Sequence, residues 1–354
     1  MYVLGIETSC DETAASVVKN GYSIVSREMS SSLRLHKKYG GVIPEIASRM
    51  QLESITAVVN YALEKARVAL PQIGLVSVTD GPGLLGSLVV GVCFAKALSL
   101  SQTIPLLGIN HLHSHIFANF LRLAQTQHRG KNNNRFFNLP KALPFVALVV
   151  SGGHTSLFYV RDVDQIEVIG QTQDDACGEA FDKVAKILGL GYPGGPLIER
   201  LARSGNAQRI RFNCSNTTQP LDFSFSGIKT AVLYYTRKQS QESSKQLTIK
   251  SAIGHRLICD IAASFQEAVI DTLIKKSLLA CRLKSTNRLV VGGGVAANSR
   301  LREKFSQQMR RENITISFPH PELCTDNAAM VAALGYWLFK KGYQTDLDLS
   351  LNLS

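Results

Sequence analysis

The chain has 354 residues, of which 45% are apolar and 19% charged. It is longer than one average domain and rich enough in apolar side chains to fill two cores, which excludes a disordered chain. With 39 Lys and Arg against 27 Asp and Glu, its formal charge of +12 favours a polyanionic partner such as RNA, or an anionic membrane surface.

The cysteines, Cys10, Cys93, Cys177, Cys214, Cys259, Cys281 and Cys324, are odd in number, far apart and without a C-x-x-C pair. They fit a reducing compartment better than a disulfide framework or a zinc ribbon. The chain starts directly as a strand at Met1 to Ile6, with no basic leader, so no signal peptide is expected.

Taken in order, Val3 to Ile6, Ala14 to Val18 and Tyr22 to Val25 read as a β-meander. Phe145 to Val150, Ser156 to Val160 and Ile166 to Ile169 repeat that pattern. The repeat predicts two similar lobes around a cleft. Helical periods run over Ile46–Ala66, Gly86–Leu100, Glu179–Leu188, Ile258–Cys281 and Ala328–Lys341. The apolar stretch Leu84 to Leu100 contains Gly86, Gly91 and Lys96. It reads as a buried helix of an α/β domain rather than a membrane span, which needs about 20 mostly apolar residues. The polar stretches Gln125 to Lys141 and Gln239 to Lys250 read as loops, the first linking the lobes, and Asn206 to Phe225 reads as irregular. The expected division is 1–122 with 326–354, a linker at 123–140, and 141–325.

Glycine-rich turns follow several strands: 81–86 after Val76 to Thr79, 152–153 after the second meander's first strand, 194–195, and 292–294 after Arg288 to Val291. Glycine lets backbone approach a ligand, and a helix start attracts anions. Each turn alone is equally well explained as a tight turn, but several facing one cleft would make a nucleotide site. The P-loop pattern is absent.

His111-Leu112-His113-Ser114-His115 is the second constellation. On a helix, His111 and His115 stand about 40° apart and can reach one metal ion, whereas His113 falls about 200° away. Leu112 replaces the glutamate of the H-E-x-x-H protease signature. Asp326, just ahead of the last helix, is the best candidate for a third ligand, although a plain helix cap explains it equally well. Two histidines and a carboxylate would suit iron(II) or zinc and leave positions open for substrate. Carboxylates beside small residues occur at Asp11-Glu12, Asp174-Asp175, Glu179 and Asp182, and surface exposure is the plain alternative for each. Ser224 and Ser226 lack the G-x-S-x-G elbow of a nucleophile. Basic residues are scattered (Arg34, Lys37, Lys38; Arg129, Lys131, Arg135; Lys245, Lys250; Arg302, Lys304, Arg310, Arg311) with no RNA-binding module pattern, so RNA would be met through shape and phosphates.

Together, Gly5 to Thr13, Gly40 to Arg49, Gly81 to Leu84, His111 to His115, Val150 to Thr155, Gly178 to Lys183, Tyr192 to Pro196, Asp222 to Gly227, Gly292 to Asn298 and Cys324 to Asn327 resemble the TsaD/OSGEP family, in the family's order and across nearly the whole chain. The resemblance implies an α/β fold of two duplicated actin/hsp70/sugar-kinase (ASKHA) lobes with a nucleotide cleft. It implies transfer of a threonylcarbamoyl group from threonylcarbamoyl-AMP to N6 of adenosine 37, in tRNAs reading codons that begin with A. It assigns one divalent ion, usually iron (Fe2+), to His111, His115 and Asp326. The adenylate falls to Val149, Val150, Ser151, Gly152, Gly153, Asp182, Gly195 and Asn298, with Glu199 carried over from some relatives. TsaB-like and TsaE-like partners, tRNA and a cytoplasmic (or organelle stromal) location follow, with no membrane.

Asp11 or Glu12 would orient the metal's surroundings or take the amine proton. An ATPase or small-molecule kinase of the same fold is the alternative, because fold alone does not separate the two. Asn110, where bacterial relatives often have histidine, the longer polar inserts, and the absence of a basic, Trp-containing tail depart from the family pattern.

Overall fold

The structure, a computed structural model, describes residues 1–36, 38–123, 139–241 and 254–352. It opens with the expected meander, Tyr2–Glu7 (β1), Glu12–Lys19 (β2) and Ser23–Ser31 (β3), followed by Leu33–His36 (α1) and Pro44–Ala66 (α2). Ile73–Gly81 (β4), Leu85–Gln102 (α3), Leu106–Asn110 (β5), His111–Phe117 (α4) and Leu139–Ala142 (α5) come next. The second meander is Phe145–Val150 (β6), Thr155–Asp162 (β7) and Gln165–Gln171 (β8). Cys177–Ile187 (α6), Gly194–Ala202 (α7), Ser226–Gln241 (α8) and His255–Leu283 (α9) follow it. Arg288–Gly292 (β9), Ser299–Arg311 (α10), Thr315–Ser317 (β10) and Ala328–Lys340 (α11) close the chain.

Contacts divide these elements into two units: Met1–Leu143 with Arg161–Ile166 and Pro319–Ser354, and Pro144–Val160 with Glu167–Phe318. One sheet runs β3-β2-β1-β4-β5 and the other β10-β9-β6-β7-β8. In the first, β1 pairs antiparallel with β2 and parallel with β4; in the second, β6 pairs antiparallel with β7 and parallel with β9. The duplication seen in the sequence is therefore a repeated sheet plan.

Helix α2 starts at Pro44, where a missing N–H costs nothing, and ends at Arg67 in the left-handed conformation. Its buried stripe is Ala47, Gln51, Ile55, Val58, Val59, Ala62 and Leu63, the helical period that covers a sheet. Helix α3 is, by length and composition, the one described helix apolar enough to cross a membrane. It packs against α2 and β4. Only one of its faces is buried, through Ser87, Leu88, Gly91, Val92, Ala95 and Ser99, while Leu85, Val89 and Leu100 are exposed. The expectation of a buried helix is corrected to that extent: its apolar residues lie all round, but one face alone is covered.

The polar stretches are partly helical where they are described: Leu139 to Lys141 belong to α5 and Gln239 to Gln241 to α8. The rest of both loops, most of the expected 123–140 linker, and the basic residues Lys37, Arg129, Lys131, Arg135, Lys245 and Lys250 lie outside the described residues. Asn206 to Phe225 contains no helix or strand, as its composition suggests.

Helix α11 lies directly on β1 and β4 because glycines remove the side chains that would separate them. A Cβ at Gly5 would overlap the Ala328 carbonyl and crowd Ala332, and one at Gly335 would strike Ser77. This close approach also fixes the start of α11. We expect Gly5→Val to lower stability by about 1–3 kcal/mol, read from the shift of the denaturant midpoint.

Candidate functional site

Asn110, at the end of β5, caps α4: its Oδ1 accepts from the His113 N–H at 3.0 Å. This starts the helix at His111 and sets His115 one turn later on the same face, with ring centroids 4.8 Å apart. The start of α11 supplies the third group. Its cap is Asn327, whose Oδ1 accepts from Met330 N–H at 3.0 Å, so the capping alternative for Asp326 is overturned. The Asp326 carboxylate instead stands 3.1 Å from His115 Nε2 and 3.6 Å from His111 Nε2. Ligand atoms of His111, His115 and Asp326 all lie within 4.8 Å of one another. His113 stands outside this group, and burial pushes its imidazole down to about 4.

His111 is aimed from behind. Its Nδ1 lies 3.1 Å from Glu7 Oε2 and 3.1 Å from Ser9 Oγ. Glu7 is buried on β1 and also accepts from Ser9 N–H and Thr79 Oγ1, each at 2.6 Å. A carboxylate at Nδ1 holds a proton there and turns Nε2 toward Asp326 and His115, so that Nε2 is the nitrogen open to a metal once it gives up its own proton. Burial acts on both groups of this pair, but their mutual attraction outweighs it: Glu7 is held below the usual carboxylate range and His111 is raised to about 9, with Asp326 contributing.

His115 is fully buried; its Nδ1 has no hydrogen-bond partner, and its Nε2 makes no hydrogen bond although Asp326 stands 3.1 Å away. Orphaned polar atoms of this kind are costly unless something else binds them. Two imidazole nitrogens and one carboxylate oxygen are a donor set that fits a divalent transition metal.

Asp11 and Glu12 are expected to assist the chemistry; Asp11 sits on the loop joining β1 to β2 and Glu12 opens β2, where it interacts electrostatically with Asp326 and with Asp11. Burial, then the charges of Asp326 and Asp11, push Glu12 up to about 9. Burial and the same carboxylates raise the Cys10 thiol far above its ordinary range, so it stays neutral.

The residues expected at the adenylate all lie in the second unit, linked through neighbouring contacts at one end of its sheet. Val149 pairs with Gly292, and a Cβ at Gly293 would overlap the Val150 carbonyl. Gly178 N–H donates to the Ser151 carbonyl. Asp182 Oδ1 accepts from Gly194 N–H at 2.6 Å, which holds the turn that contains Gly195. Burial keeps the Asp182 carboxyl above its ordinary value, although the Gly194 and Gly195 N–H groups oppose the shift. Glu199 accepts from Ser299 N–H at 3.2 Å and from Ser299 Oγ at 2.5 Å, which pins α7 to the start of α10. Asn298 caps α10 through Leu301 N–H at 2.9 Å and donates to buried Gln266 at 2.8 Å.

The glycines fall into two kinds. At 81–86, a turn that also has G-x-G-x-x-G spacing, a Cβ on Gly81 or Gly83 would collide with Asn352 or Ser9; packing explains them. At Gly152, Gly153, Gly195 and Gly294 a Cβ would meet nothing within 4 Å, and none of the four has a left-handed backbone. Neither strain nor packing requires glycine there, so open room beside the backbone is what these positions provide.

Ser224 and Ser226 donate to Asp174 at 2.5 and 2.7 Å, while Asp175 pairs with Lys183 and Lys229 at 2.6 and 2.8 Å. These groups tie the segment before α8 to the loop before α6. Sequence reasoning missed the supporting role of Glu7 and Ser9. A glutamate inside an apolar strand was the available signal.

The chain's fold is that of the actin/hsp70/sugar-kinase class, and its first unit carries a His/His/Asp cluster. It resembles full-length HypF (TM-score 0.58, 12% identity, 96% of this chain and 46% of that one). It also resembles the Acidaminococcus fermentans (R)-2-hydroxyglutaryl-CoA dehydratase component A (TM-score 0.52, 16% identity, 97% and 100%). These likenesses establish fold alone. The model of the tRNA N6-adenosine threonylcarbamoyltransferase family, TsaD, matches residues 23–333. Proteins of that description from Clostridium kluyveri (46% identical, 98% of this chain, 95% of the relative) and Dictyoglomus turgidum (47%, 99% and 98%) are similar throughout. The chain belongs to the TsaD family, and is an acyltransferase.

We expect His115→Ala and Asp326→Asn each to weaken Co2+ binding at least about 100-fold, by titration of metal-depleted protein. Binding by the unaltered chain should strengthen as pH rises toward about 9, because a metal must displace the His111 proton.

Proposed function

We propose that this chain transfers the threonylcarbamoyl group of threonylcarbamoyl-AMP to N6 of adenosine 37, in tRNAs reading codons that begin with A. Membership of the TsaD family supports this, and the observation that carries it is the buried His115, whose Nδ1 has no hydrogen-bond partner and whose Nε2 faces Asp326 at 3.1 Å beside His111. Those three residues would hold one divalent ion, iron(II) by family pattern. When bound, it supplies Lewis-acid stabilisation of charge developing on the donor's oxygens.

The reaction forms a bond between N6 and the carbamoyl carbon and breaks that carbon's bond to the phosphate oxygen. AMP leaves, and the amine loses a proton. The amine is a poor nucleophile because its lone pair is delocalised into the adenine ring, so positioning and a nearby base both matter. Asp11 and Glu12 are the proposed proton-handling pair. Once a divalent charge replaces the repulsion of Asp326, Glu12 would ionise more readily.

The room beside Gly152, Gly153 and Gly195 supports adenylate binding along Val149 to Gly153 and at Gly195. Asp182, Glu199 and Asn298 would keep those turns in place through the bonds described above. We further propose TsaB-like and TsaE-like partners and a cytoplasmic location, the latter supported by cysteines that are all free. A small-molecule kinase would share the fold, and family membership favours acyl transfer over it.

The direct test is to incubate the protein with threonylcarbamoyl-AMP, tRNA and candidate partners, then analyse the nucleosides by mass spectrometry. Modified adenosine should form. It should be lost in the His111→Ala/His115→Ala double variant, and full activity of a metal-free double variant would refute the role of the cluster. Gly195→Val should fold normally, because nothing occupies its side-chain position, yet raise the donor KM at least about tenfold. An unchanged KM would remove Gly195 from the binding surface.

A further inference from the structure

Helix α2 buries an apolar stripe with one polar exception, Gln51, which is 1% exposed. An amide in that position costs stability unless its hydrogen bonds are made. Its Nε2 lies 3.0 Å from the carbonyl oxygens of both Cys10 and Glu12, and 3.4 Å from that of Thr8. Its Oε1 is buried and has no hydrogen-bond partner. The group is thus used for its donors alone. Three converging acceptors also decide which way the amide points, since the opposite orientation would set oxygen against oxygen.

Gln51 completes a wider pattern in which every carbonyl from Thr8 to Glu12 is held. Leu84 N–H donates to Ser9, and Ser87 Oγ to Cys10 at 3.1 Å. Ser32 donates to Asp11 through its N–H and, at 2.8 Å, its Oγ. His36 Nε2 in turn stands 2.9 Å from that hydroxyl. Within this set Gln51 alone bridges the two ends of the loop, residues 8 and 12. This segment carries Ser9, which meets His111 Nδ1, and Glu12, which interacts with Asp326 and with its neighbour Asp11.

We propose that Gln51 is a positioning residue for the transfer reaction: it curls the loop 8–12 from inside, and so sets the orientation of His111 and the placement of Asp11 and Glu12. It meets neither the histidines nor Asp326, so its effect passes entirely through the loop. Supporting groups of this sort typically change activity 10- to 100-fold, because a displacement of about 1 Å at the reacting groups is enough.

The proposal rests on the transfer reading for its kinetic arm and not for its spectroscopic arm. Gln51→Met keeps length and volume but deletes the donors; Gln51→Glu turns an anion toward three carbonyls. Full-length variants would be loaded with Co2+ and compared by visible d–d spectrum, melting temperature, kcat and KM. For Gln51→Met we expect a folded protein with an altered d–d spectrum, a kcat lower by about 10- to 100-fold and a donor KM within about threefold of the original. Gln51→Glu should show larger changes in the same direction. If Gln51→Met fails to fold, Gln51→Asn, which retains the amide one methylene too short to reach all three carbonyls, takes its place with the same readings. A folded variant with unchanged spectrum and unchanged kcat overturns the proposal. If the unaltered protein itself transfers nothing, the functional reading fails, and the Co2+ spectrum still decides the role of Gln51.

Discussion

A carboxylate buried within a strand and the imidazole that it orients are the constraint around which the first unit is arranged. Glu7 could not remain ionised inside β1 without Thr79, the Ser9 N–H and His111 to satisfy it. Each of these donors comes from a different stretch of chain: β4, the loop after β1, and α4. The pair therefore joins the centre of the sheet to the helix that carries both histidines, and His111 Nε2 faces Asp326.

The opposite wall depends on packing rather than charge. Helix α11 can bring Asp326 to α4 only because Gly5 and Gly335 let it lie against the sheet. Asn327 relieves Asp326 of capping duty. Two neighbouring residues thus divide the work: the amide satisfies the helix start, and the carboxylate remains for the histidines.

The second unit achieves order by different means. Asp182, Glu199 and Asn298 spend their polar atoms on backbone N–H groups and on one another's supports. The backbone at Gly152, Gly153, Gly195 and Gly294 is left open beside these fastened turns. Side chains that look like ligand contacts in a linear motif serve here as fasteners of the turns that carry the motif.

Much was legible in the sequence. Alternation and helical period located both meanders and the helices α2, α3, α6, α9 and α11, because burial against a sheet imposes those periods directly, but not the 16-residue α8. The spacing of His111 and His115 also showed that they share one helical face, since that follows from helix geometry alone. Long-range relations were not legible. Whether Asp326 capped a helix or approached the histidines depended on Asn327 and on how closely α11 packs. Which glycines were needed for packing and which left open room depended on neighbours far along the chain. Glu7 and Gln51 looked like a strand residue and a helix residue until the fold placed donors and acceptors around them. Periodicity is a property of consecutive residues, whereas the satisfaction of a buried polar group is a property of whatever the tertiary structure brings beside it.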